Sequence, residues 1–153
     1  MDVQELLKQA LTGGAGMIDR AVSDLTEEEA AQSPHGLAPI VWQVGHLAVS
    51  EARLVQQLLG VEVELPASYG DLFPFGSSGT GSFPPLAEVR ENFTRVHQQL
   101  LKAAEGDLAR AVDGGQLYST AAGALMFADR HRWYHIGKIM TLRSLLGKPR
   151  LLG

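Results

Sequence analysis

Three histidines carry the chemical interest of this 153-residue chain: His46 and the pair His131 and His135. Residues four apart on a helix lie one turn above each other, so the pair would direct two ring nitrogens to one side. A third imidazole from a neighbouring helix would complete a set of three neutral nitrogen ligands. Such a set suits Zn, Ni or Fe and leaves coordination positions open for water or substrate. The pair falls inside the apolar stripe of Ala121, Ala124, Leu125, Ala128, Ile139, Leu142 and Leu146, so both rings are expected to face the interior. A buried imidazole without a partner costs roughly 1–3 kcal/mol, which either a hydrogen bond or a bound ion removes. Spacing alone leaves packed core histidines as the alternative. No Glu follows His131, so the zinc-protease pattern His-Glu-x-x-His is absent.

The pair lies on a final helix over residues 121–147, stopped by Lys148-Pro149. His46 lies on a second long helix from about Pro39, suited to a first helical position, to Gly60, a C-terminal cap. The main apolar stripe of that helix is Val41, Val44, Leu47, Ala48, Leu54, Val55 and Leu58. His46 falls roughly opposite, grouped with Trp42, Val49 and Arg53. For His46 to meet the other pair, this helix must bury two sides.

Upstream, residues 3–25 keep a helical period across Gly13, Gly14 and Gly16. Thr26 and Glu29 fit a capping box for a short helix to about Gln32, and Ser33-Pro34-His35-Gly36 breaks the chain, with His35 a turn residue. Residues 61–85 form a long Pro- and Gly-rich connection whose Tyr69, Leu72, Phe73, Phe75 and Phe83 should pack over something. A third long helix is expected over residues 86–104, followed by a connection marked by Gly106, Gly114 and Gly115. With no convincing strand, the fold class is all-α: a four-helix bundle with a long loop between its second and third helices, forming one domain over residues 1–153.

Composition narrows the function classes. A net charge of −4 and no basic run interleaved with aromatics argue against a nucleic-acid surface. The absence of cysteine excludes disulfides, thiolate metal sites and a cysteine nucleophile. The serines around residues 77–80 form no Gly-x-Ser-x-Gly elbow, which disfavours a serine hydrolase. No apolar run is long enough to span a bilayer and the start has no signal-peptide profile, so a cytoplasmic location without membrane contact is expected.

Two stretches resemble one family. Gly45-His46-Leu47-Ala48, with Trp42 before it and Glu51 after, and His131-x-x-x-His135-Ile136-Gly137-Lys138-Ile139, with Arg143 beyond, are similar to the DinB/YfiT-like proteins. The resemblance extends over essentially the whole chain: helix order, loop and histidine placement. It implies a four-helix bundle with a divalent metal held by a histidine of the second helix and two of the last, at His46, His131 and His135. It also implies a homodimer, which the apolar Leu145, Leu151 and Leu152 near the C-terminus make plausible. The activities implied are hydrolysis and thiol-dependent S-transfer or isomerisation.

Around the metal, Glu51 and Tyr134 are candidates to orient an imidazole, and Trp42 to wall the cavity. Arg53 and Arg132 could meet an anionic substrate but are expected to be solvated, and His97 to lie at a surface or edge. The functional expectation is a metal-dependent enzyme with a small-molecule substrate. An open metal position either lowers the pKa of bound water or takes a low-molecular-weight thiol as co-substrate, and no evident base other than Glu51 supports hydrolysis. The alternative is a non-catalytic, metal-stabilised bundle that binds a small molecule or partner, with a stress response as one setting. Metal affinity is expected to fall below about pH 6.5, where free imidazole protonates.

Overall fold

The computed structural model describes residues 1–77 and 79–152; Ser78, in the serine-containing run, lies outside them. The described residues form helices and no strand: α1 (Val3–Val22), α2 (Glu27–Ala31), α3 (Ile40–Leu59), α4 (Tyr69–Leu72), α5 (Leu86–Ala103) and α6 (Ala121–Leu145). One isolated antiparallel bridge joins Ala111 to Thr120 ahead of α6.

The helix starts follow local chemistry. Asp2 accepts from the Glu5 N–H to open α1, and Thr120 accepts from that of Gly123 to open α6. Thr26 and Glu29 cap α2 reciprocally, as the capping-box spacing predicts. Helix α5 follows Pro85, which offers no capping side chain. Its first N–H groups are met from a distance, by the Glu27 carboxylate on Leu86 and Ala87. Gly60 closes α3 at φ 68°, and His35 turns the chain at φ 54° within the short 3-10 turn Pro34–Gly36.

Helix α3 lies between α5 and α6, and α1 packs chiefly on α6. Every residue from Ile40 to Val49 is buried, so this helix does bury two sides. The second side is shared between α6 and the connection between α3 and α5. Tyr69 and Phe73 are buried there, and Phe73 lies on Gly45, where an added Cβ would come within 2.4 Å of its ring. The expectation that this loop packs over something holds.

The apolar core is split into two clusters, and each long helix passes from one to the other. One cluster holds Ile18, Val41, Val44, Leu47, Val89, Phe93, Ile136 and Ile139; the second holds Leu11, Leu54, Val55, Val96, Leu100, Leu125 and Ala128. Between them run Gly14 on α1, Glu51 on α3 and Arg132 on α6, with His97 on α5 at the same level. The candidate histidines stand beside this polar layer.

Candidate metal centre

The phase that sets His46 opposite the main stripe of α3 places it against α6. Its ring centroid lies 5.3 Å from that of His131 and 5.0 Å from that of His135. One nitrogen from each of the three rings lies within 4.8 Å of the other two, a grouping that could hold a metal ion. The Nε2 atoms of His131 and His135 are 3.0 Å apart, as the one-turn spacing predicts. His46 and His135 are buried, while His131 is partly exposed and gives the centre its open side.

The far nitrogens of two rings are fixed by acceptors that cannot donate. Nδ1 of His135 lies 2.6 Å from Oε1 of Gln43, and Nδ1 of His46 lies 3.2 Å from the carbonyl oxygen of Phe73. The amide of Gln43 is itself oriented, because its nitrogen donates to the Ala38 carbonyl. Each Nδ1 must therefore carry the proton, which in the neutral ring leaves Nε2 as an acceptor; that of His46 lies 3.4 Å from the Ser50 hydroxyl oxygen. Across the 3.0 Å gap the Nε2 of His135 can therefore only accept, from an Nε2–H of His131 or from a cation held between the two. This donor set, with ligand rings held by outer acceptors, fits a divalent metal.

All three rings are held neutral. Burial lowers the His46 pKa, and Arg53 and Lys138 push it further down against the opposing bond to Phe73. Burial also lowers His131 to about 4, aided by His46. His135 falls to about 3, first by burial and then through His131, His46 and Lys138. Proton competition for a metal therefore sets in below the pH 6.5 expected from the free side chain, because the charged rings would have to be desolvated.

The other candidates divide. Trp42 stacks on His46 with centroids 4.8 Å apart and an interplanar angle of 11°, so its indole covers one face of that ring. Its buried indole N–H has no acceptor among the described residues. Tyr134 stands edge-on to His135 at 5.1 Å and is exposed; it packs on the ring without hydrogen-bonding it. Glu51 orients no imidazole: both its oxygens are taken by Arg132, at 2.6 Å each. Arg132, expected in solvent, has no exposed surface, and it also donates to the Leu11 carbonyl and to Nδ1 of His97. His97, expected at an edge, is buried by that contact. Gly14 on α1 leaves room for the Arg132 side chain, an added Cβ there falling 3.2 Å from its Cδ.

Sequence reasoning missed Gln43 and the Phe73 carbonyl. Gln43 sits three residues before His46, one turn away, and that spacing was the available signal. A loop carbonyl leaves no trace in residue type.

A helical bundle with three convergent histidines, one from α3 and two from α6, defines the class of protein. The DinB superfamily model matches residues 10–139, and the chain belongs to that superfamily. No curated protein matched the chain. Among the described residues no helix is long and apolar enough to cross a membrane.

Proposed function

We propose that His46, His131 and His135 bind a divalent metal, Zn, Ni or Fe, and that the protein is a metal-dependent enzyme of the thiol-dependent S-transferase type. The observation that carries this reading is the convergence of one nitrogen from each of the three rings within 4.8 Å, with Nδ1 of His135 held by Gln43 and that of His46 by the Phe73 carbonyl. A divalent cation there would supply Lewis acidity and favour the deprotonated form of a low-molecular-weight thiol co-substrate.

The chain's own residues contribute position and environment. Gln43 and the Phe73 carbonyl hold two ligand rings in one tautomer, Trp42 covers the inner face of His46, and the partly exposed His131 leaves a way in. Transfer is favoured over hydrolysis because the nearest candidate base, Glu51, is locked to Arg132 with no exposed surface. A thiol brings its own nucleophile and asks for no protein carboxylate.

The test uses protein purified without a His tag. Metal analysis should find about one divalent ion per chain. Added Zn or Ni should raise the melting temperature by a stabilisation near 2.7 kcal/mol at a hundred times Kd, and His131→Ala should abolish that rise. A thiol with an activated electrophile should turn over with wild type and not with His46→Ala. Equal turnover by the two proteins would end the enzyme reading, and metal binding without turnover would leave a metal-stabilised binding protein.

A further inference from the structure

Each imidazole of the centre has an aromatic ring beside it, and none of the three aromatic side chains is fully buried. Phe75 lies 6.3 Å from His46, Phe127 stacks on His131 at 5.6 Å and 16°, and Tyr134 stands edge-on to His135. Phe75 is 86% exposed and Tyr134 59%. Two exposed rings, and a partly buried third in Phe127, around a candidate metal centre offer a surface that a planar or apolar ligand would cover.

The charges near this collar are of one sign. Lys138 lies one turn beyond Tyr134 on α6, with Nζ 4.7 Å from the centre of the tyrosine ring. Arg53 lies two turns beyond His46 on α3. Both are exposed, and among the described residues neither forms an ion pair with a carboxylate. Among the described residues they are the side-chain charges, other than the histidines themselves, that lower the pKa of His46 and His135, and no carboxylate opposes them there. This is not the drift of composition, because the chain has 17 acidic and 13 basic residues. A bound dication would add to the same positive field, which attracts and orients anions.

We propose that the substrate of this centre carries an anionic group next to a flat apolar body, with the anion at Lys138 and the body against Tyr134, Phe75 and Phe127. Arg53, whose charge also acts on His46, strengthens the field. The proposal rests on the three-histidine centre being the site of chemistry, and it names the class of molecule that reaches it.

Benzoate and its neutral isostere benzamide are suitable probes, titrated calorimetrically into Zn-loaded wild type, Lys138→Gln and Phe75→Ser. Wild type should bind benzoate about tenfold more tightly than benzamide, a difference of ~1.4 kcal/mol. Lys138→Gln should remove that preference while Zn binds at least as tightly as in wild type, since a cation acting on His46 and His135 is lost and no ligand nitrogen loses a contact. Phe75→Ser should weaken both probes together. Equal binding of the two probes by wild type overturns the proposal. So does a preference that survives Lys138→Gln, because the metal alone would then be selecting the anion. Unchanged affinity in Phe75→Ser overturns the aromatic part. Should wild type take up no Zn, the metal reading fails, and the same comparison on metal-free protein still tests Lys138: a smaller benzoate preference, lost in Lys138→Gln, supports the anion site, and equal binding removes it.

Discussion

The guanidinium of Arg132 and the carboxylate of Glu51 meet through two bonds of 2.6 Å, with both side chains fully buried. The pair joins α6 to α3, and further donation to the Leu11 carbonyl and to His97 extends it to α1 and α5. One side chain thus contacts all the other long helices at the level where the apolar core divides. Removing one partner strands a charge where water cannot reach it. Glu51→Ala should cost about 3–5 kcal/mol in urea unfolding, and the double change Glu51→Leu with Arg132→Met much less, because no charge is then left unpaired. Equal losses in the single and double variants would show that packing volume, not charge, is what matters here.

The contact between Arg132 and His97 sets a pH dependence. Arginine can only donate, so Nδ1 of His97 accepts and the ring is neutral. Burial, and then the Arg132 charge, lower its pKa to about 4. The unfolded side chain titrates near 6.5, so below that pH the unfolded state binds the proton first. The stability that His97 contributes is therefore complete above about pH 6.5 and is lost as pH falls toward 4, at ~1.4 kcal/mol per pH unit. His97→Asn keeps an acceptor but cannot titrate. Its urea midpoint should fall less between pH 7 and pH 5 than that of wild type; an identical fall would remove His97 as the cause.

Gln43 reaches the proposed metal only through His135. Gln43→Leu keeps the volume and removes the acceptor, freeing the ring to rotate or change tautomer. Zn affinity, measured against a competing chelator dye, should drop about 10–100-fold while the fold persists. An unchanged affinity would mean that the ring is held by packing alone. In wild type the fall in affinity should begin below the pH 6.5 expected of a free imidazole, because burial lowers the pKa of all three rings.

Glycines inside helices have opposite values in this chain. At Gly45 a methyl group would collide with the Phe73 ring, so Gly45→Ala should destabilise by about 1–3 kcal/mol and disturb the Phe73 carbonyl that holds His46. At Gly13 and Gly16 an added Cβ meets nothing within 4 Å. Alanine there should stabilise by about 0.5–1 kcal/mol each, since the helix gains and nothing is crowded. Melting curves of the three single variants decide both signs.

The long helices to within about three residues at their ends, the all-α class, the capping box at Thr26 and the one-turn spacing of His131 and His135 were legible in the sequence because each depends on residues a few positions apart. The short helix Tyr69–Leu72 was not. The need for α3 to bury two sides was legible as well, from the phase of His46 against its leucines and valines. Other features depend on residues brought together from distant parts of the chain. Solvation of Arg132 and the orienting role of Glu51 were the natural expectations for charged residues on helices, and both failed because the two lie face to face across the bundle, 81 positions apart. A buried charge is tolerable only where its partner stands, and no local pattern records where that is. The same holds for the Phe73 carbonyl on His46: any residue type offers that oxygen, and only the path of the loop over Gly45 decides which one arrives.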